Sequence, residues 1–139
     1  MFNGYFVDDQ DKVYAELLSR DGILKVEHVE VNELIALAKE LLEKKPDIVA
    51  VDYRLDEKLT KIKPDQTYKG SALAQHLRDV AIDHPAQDFP LILVSSEEKL
   101  QKLYRPDRTA HDLFDRVYTK AEIRTDTERV HAESIDLCV

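Results

Sequence analysis

Five side chains in this sequence could act on a common substrate: Asp8, Asp9, Asp52, Ser95 and Lys120. Each follows or closes a short apolar run. Tyr5-Phe6-Val7 precedes Asp8-Asp9, Ile48-Val49-Ala50-Val51 precedes Asp52, Leu91-Ile92-Leu93-Val94 precedes Ser95, and Arg116-Val117-Tyr118-Thr119 precedes Lys120. Clustered carboxylates repel one another unless a hard cation neutralises them, and all-oxygen ligation with water in reserve suits Mg²⁺ at about 2.0–2.1 Å. One carboxylate can then act as a nucleophile toward a phosphoryl group, forming an acyl phosphate. The cation, the ammonium and the hydroxyl would share the phosphoryl oxygens, where most catalysis of phosphoryl transfer arises. Taken singly, these residues have plainer uses. Asp8-Asp9 and Ser95-Ser96 suit helix N-caps, and Asp52 suits a loop. Only their joint placement at four strand ends favours the chemical reading.

Those ends belong to a regular alternation. Tyr5–Val7 reads as a first strand, followed by a helix over Asp11–Arg20 with Asp9 or Asp11 as cap. Asp21-Gly22 is a turn, and the stretch from Leu24 to Val29 alternates as a half-buried strand does. Asn32 is placed to cap a second helix whose apolar stripe is Leu34, Ile35, Ala38, Leu41 and Leu42, stopped by Pro46. The continuous apolar runs before Asp52 and Ser95 are patterned as central parallel strands covered on both faces. Gly70 opens a third helix with Leu73, Ala74, Leu77, Val80 and Ala81 inward, and further helices are expected from Glu97 to Tyr104 and from Ala121 to Leu137. Strands alternating with helices give a parallel sheet, and in such a sheet the ligand site lies at the carboxyl ends of the strands.

Composition narrows the class. The chain has 139 residues, one cysteine (Cys138), no Trp and a formal net charge of −8. This length suits one domain, spanning residues 1–139 with its core over about 4–137, and the apolar ending Leu137-Cys138-Val139 leaves room for a C-terminal continuation. A lone cysteine forms no internal disulfide, and a reducing, cytoplasmic setting is expected. The acidic balance opposes binding to a phosphate backbone. No apolar run approaches the roughly 20 residues that span a bilayer. The histidines (His28, His76, His84, His111, His131) show no zinc spacing. A Gly-rich phosphate loop after the first strand is missing, which argues against a nucleotide or flavin cofactor.

The ordered motifs resemble the receiver domain of bacterial two-component response regulators, from about Tyr5 to Lys120. The quoted matches are Phe6-Val7-Asp8-Asp9-Gln10 for the acidic pair and Asp47-Ile48-Val49-Ala50-Val51-Asp52-Tyr53-Arg54-Leu55 for the strand ending in the phosphorylated aspartate. Gly70 to Arg78 matches the Gly-x-x-Leu helix, Pro90 to Ser95 the strand closed by Ser or Thr, and Lys120 the invariant lysine.

The resemblance implies an α/β fold: a doubly wound, flavodoxin-like five-stranded parallel sheet of order 2-1-3-4-5 with helices on both faces. It implies Asp52 as phospho-acceptor, Mg²⁺ held by Asp8, Asp9, Asp52 and the backbone carbonyl of Arg54, and Ser95 and Lys120 on the phosphoryl oxygens. Arg54 and Glu97 fall where the family tunes access of water. The implied partners are a histidine kinase or phosphotransfer protein and a downstream effector protein or domain, with no membrane or direct nucleic-acid contact and a homodimer left open. The implied role is signalling, not metabolic turnover, with the output face over about Glu98–Tyr118. The chain departs from the family at Ala121 (usually proline), at Val117 with Tyr118 one place after the usual switch aromatic, and in a longer stretch over Asp56–Lys69. These departures keep open a receiver-like interaction module that works without phosphate. A hydrolase on the same fold is a weaker third option.

Overall fold

The structure is a computed structural model that describes residues 1–8, 12–53, 55, 69–85, 88–96 and 113–139. Its elements are β1 (Phe2–Val7), α1 (Val13–Leu18), β2 (Leu24–Val29), α2 (Leu34–Lys44), β3 (Ile48–Asp52) and α3 (Gly70–Asp83). There follow β4 (Leu91–Ser95), β5 (Arg116–Thr119), α4 (Lys120–Thr125) and α5 (Thr127–Cys138). The strands form one sheet in the order β2-β1-β3-β4-β5, and every pairing is parallel.

Successive strand residues point to opposite faces, so each apolar strand supplies two cores. On one face Val7, Val49, Val51, Leu91 and Leu93 pack with Leu37 and Leu41 of α2 and Leu73 and Leu77 of α3. On the other, Phe6, Ala50, Ile92, Val94 and Tyr118 pack with Tyr14 and Leu18 of α1, Ile123 of α4 and Val130 of α5. Every residue of β3 and β4 is buried, Asp52 and Ser95 included, as expected for central strands covered on both sides. Among the described residues, no helix is long and apolar enough to cross a membrane.

Several local expectations are corrected. β1 begins at Phe2 rather than Tyr5, its entry secured where the Asn3 amide donates to the Asp47 carboxylate at 2.8 Å. α1 starts at Val13 after Lys12, with no side-chain cap; the expected caps Asp9 and Asp11 lie outside the described residues. Asn32 does not cap α2. Its side chain accepts from the neighbouring Glu33 amide at 2.8 Å, and Glu33 is the N-cap. The buried face of α2 is Leu37, Ala38 and Leu41, while Ile35 is 55% exposed. The helix ends where Lys45 turns left-handed (φ 48) and Pro46 follows. Lys120 opens a helix instead of ending β5, and the expected final helix is two, broken at Asp126. The helix expected over Glu97–Tyr104 and most of the Asp56–Lys69 stretch lie outside the described residues.

At the end of the sheet opposite the candidate site, one side chain gathers several partners. The Arg78 guanidinium on α3 donates to the Leu113 carbonyl at 3.1 and 3.0 Å and to the Phe89 carbonyl at 3.1 Å. It also pairs with Asp88 at 2.8 Å and Asp115 at 2.9 Å. The same Asp115 oxygen accepts from the Leu91 amide, so α3 and the entries to β4 and β5 share one network.

Candidate functional site

Register brings the sequence-predicted residues to one edge. Val7 pairs with Val51, and so Asp8 and Asp52, each one residue further on, stand level at the carboxyl ends of adjacent strands. Asp52 pairs in turn with Val94, and Val94 with Tyr118, which places Ser95 and Thr119 one step beyond. Asp8 is fully buried and Asp52 is 4% exposed.

Lys120 reaches into this edge from the start of α4. Its Nζ lies 3.1 Å from Asp52 Oδ2, an ion pair in which the lysine side chain is 20% exposed and the aspartate 5%. Burial acts to lower the Lys120 pKa, but the charge and hydrogen bond of Asp52 outweigh it. With smaller contributions from Asp8 and Tyr14, they hold the ammonium above the ordinary lysine value.

The backbone that presents Lys120 is fixed by a capping box. Thr119 Oγ1 accepts from the Glu122 amide at 3.0 Å, and Glu122 accepts from the Thr119 amide at 3.2 Å. Each satisfies a donor that the helix start would leave unpaired. The Thr-x-x-Glu spacing is a sequence signal that the expected helix over Ala121–Leu137 did not use. No peptide among the described residues is cis, so Ala121 follows Lys120 in an ordinary helical first turn.

α3 is also built around the site. The Gly70 amide donates to the Tyr53 carbonyl at 2.8 Å, and Tyr53 donates its own amide to Val94 at 3.0 Å. A methyl group on Gly70 would collide with the carbonyl oxygen of Asp52 and lie 2.9 Å from Val51 Cγ1. Glycine therefore serves here by its small size, allowing the helix to approach the strand end.

Ser95 closes β4 with its hydroxyl buried and, among the described residues, without a hydrogen-bond partner. A buried hydroxyl left unpaired is costly, and such a group at a strand end is suited to an incoming oxygen. Asp9, Arg54 and Glu97 lie outside the described residues, so the structure brings together Asp8, Asp52 and Lys120 and places Ser95 at the adjoining strand end. Among the described residues, no group of three histidines, thiols or carboxylates could hold a metal. The described part of the expected set, Asp8 and Asp52, is an all-oxygen pair level on neighbouring strands, which fits the hard-donor preference of Mg²⁺.

Of two aromatic residues beside the site, Tyr14 was not picked out as functional in the sequence, whereas Tyr118 was, as the aromatic one place after the usual switch position. Tyr14 of α1 lies under Lys120, with Nζ 5.2 Å from its ring centroid. Tyr118 faces the α1, α4 and α5 side, opposite Val117, and its hydroxyl donates to Glu133 of α5 at 3.0 Å. Burial, then the hydrogen bond and charge of Glu133, raise the Tyr118 pKa well above the usual phenol value. Glu133 also pairs with Arg116 at 3.3 Å and Arg129 at 2.9 Å. Tyr14 reads from sequence as one more core position of an amphipathic helix, and no local pattern links Tyr118 to a residue 15 positions away.

No family model matches the chain, and no curated protein matches it. Solved structures do. The receiver domain of the TMAO respiratory system response regulator TorR superposes with a TM-score of 0.64 at 18% identity, covering 99% of both chains. The response regulator domain of Thermotoga maritima CheB gives 0.67 at 14% identity, covering 99% of this chain and 96% of that one. The signal receiver domain of the response regulator NarL from Mycobacterium tuberculosis gives 0.64 at 16%, covering 99% and 95%. With the parallel order 2-1-3-4-5 and helices on both faces, this chain has the receiver-domain fold of two-component response regulators.

Proposed function

We propose that this chain is a phospho-accepting receiver, one signalling unit over residues 1–139, working in the cytoplasm. The observation that carries this reading is the partly buried Lys120–Asp52 ion pair at 3.1 Å, with Asp8 level beside it on the next strand. An Asp carboxylate at the end of a central strand, held by a lysine with an acid alongside, is a poor arrangement for stability alone. Desolvating two charges offsets much of their attraction.

In this reading an oxygen of Asp52 attacks the phosphorus of a phosphohistidine on a histidine kinase or phosphotransfer protein. The P–O bond forms as the P–N bond breaks, the electron pair stays on the imidazole nitrogen, and that nitrogen takes a proton from solvent. The Lys120 ammonium is beside the developing charge without having to move in from solvent. The Ser95 hydroxyl gains in the phosphoryl oxygen a partner that it lacks among the described residues. Asp8, Asp9, Asp52 and the Arg54 carbonyl would hold Mg²⁺, which when bound supplies positive charge to the phosphoryl oxygens. Water attacking the acyl phosphate later releases inorganic phosphate and regenerates the carboxylate. The added charge and acceptor oxygens bias the surface offered to a downstream effector. The expected output face from Glu98 through residue 112 lies outside the described residues.

The test is intact mass after incubation with Mg²⁺ and acetyl phosphate, with Asp52→Asn as control. One phosphoryl adduct is expected, absent in the variant and after chelation. If neither an adduct nor beryllofluoride binding is found, the phosphate-independent interaction module becomes the better reading. That alternative draws on Tyr118, whose hydroxyl is committed to Glu133 on α5.

A further inference from the structure

Lys120 is held by more than its carboxylate. Its backbone is set by the Thr119–Glu122 capping box, its ammonium by Asp52, and its flank by the ring of Tyr14, whose centroid is 5.2 Å from Nζ. A cation within about 6 Å of an aromatic face is attracted by the ring quadrupole, and more strongly where water is kept out. Tyr14 is 7% exposed and belongs to the core beneath α1, α4 and α5.

The chemistry of the seat matters. A carboxylate in the place of Tyr14 would also attract Lys120, but it would add another negative charge beside Asp8 and Asp52 and compete with a phosphoryl group for the ammonium. An aliphatic residue such as the neighbouring Leu17 or Leu18 would fill the space and leave the long lysine stem free to swing toward solvent. An aromatic face holds the cation without neutralising it.

We infer that Tyr14 is a positioning residue for phosphoryl acceptance, its ring face seating the Lys120 ammonium beside Asp52 before the phosphoryl group arrives. The contact stands on geometry, and its consequence for rate rests on the receiver chemistry proposed above. Tyr14 acts through Lys120.

The test uses the full chain with Tyr14→Phe, Tyr14→Leu, and phenylalanines carrying one, two and three ring fluorines introduced at position 14. Fluorination drains the ring face of charge while changing its shape little, so folding is retained even where Tyr14→Leu fails to fold. Two readouts are taken. One is the ring-current displacement of the Lys120 ε-methylene protons in unphosphorylated, Mg²⁺-free protein; the other is the rate of Asp52 phosphorylation by acetyl phosphate. Tyr14→Phe should keep both. Successive fluorines should slow phosphorylation in steps, reaching roughly three- to tenfold with three, as expected for loss of a partly desolvated cation–π contact. Tyr14→Leu, where folded, should lose the displacement.

A rate indifferent to fluorination, in wild-type protein that does accept phosphate, overturns the role of Tyr14 alone. Absence of the ring-current displacement in wild type does the same. A wild-type chain that accepts no phosphoryl group overturns the receiver reading, and this role with it.

Discussion

The Gly70 amide donates to the Tyr53 carbonyl at 2.8 Å, pinning the first turn of α3 to the residue after Asp52. The aspartate is thus held from its own strand, from the helix that follows it in the chain, and from Lys120 on α4.

Gly70→Ala should therefore cost stability and activity together. The new methyl presses into the Asp52 carbonyl oxygen, which as backbone cannot rotate away. Overpacking of this kind costs about 1–3 kcal/mol. Urea denaturation should show the loss, and acetyl phosphate labelling should slow. An alanine variant as stable as the parent would mean that α3 moves off the strand end at little cost.

The Lys120–Asp52 pair predicts an alkaline limb. The folded Lys120 pKa lies above the unfolded value of 10.5, so the pair's contribution is complete below that pH and fades as pH rises through the folded value. Thermal melts from pH 9 upward should lose this limb in Lys120→Met. Persistence of an identical limb in the variant would assign it to other groups.

Ser134 of α5 is 2% exposed, its hydroxyl without a partner among the described residues, beside a space of about 10 Å³ lined by Tyr5, Leu18, Leu24, Ile48 and Ile92. Ser134→Ala should stabilise the fold by about 1 kcal/mol by removing an unsatisfied buried hydroxyl. Chemical denaturation decides it, and a loss of stability would mean the hydroxyl has a partner in solution.

Tyr118→Phe removes the hydrogen bond to Glu133 while keeping the ring in its core. A bond to a charged acceptor in a half-buried setting is worth about 1–2 kcal/mol, and Glu133 keeps Arg116 and Arg129 as partners. Urea midpoints would show the cost. If the receiver reading holds, phosphorylation of Asp52 should be unaffected, because the hydroxyl points to α5.

The sheet was legible because β3 and β4 are unbroken apolar runs closed by Asp52 and Ser95, a pattern that only burial on both faces explains. Helix details were less so. Ile35 and Leu37 are both apolar, and only the tilt of α2 on the sheet decides that Leu37 is buried and Ile35 exposed. Ile123 and Val130 stand seven apart, a spacing that an unbroken helix satisfies, so the break at Asp126 left no mark in the periodicity. At the site, Asp8, Asp52 and Lys120 were readable because their types are chemically distinctive and register brings strand ends together. The Tyr14–Lys120 contact joins α1 to α4 across the length of the chain, and an apolar-patterned tyrosine carries no trace of such a neighbour.

The Arg78 network has a mechanical consequence. One guanidinium ties the approach to β4, at Asp88 and Phe89, to the approach to β5, at Leu113 and Asp115. A force developed at the Asp52 edge then meets a hinge clamped at its far side. If the receiver reading holds, β4 and β5 should shift least beside this clamp and most at Ser95 and Thr119, a gradient that amide exchange along the two strands would show.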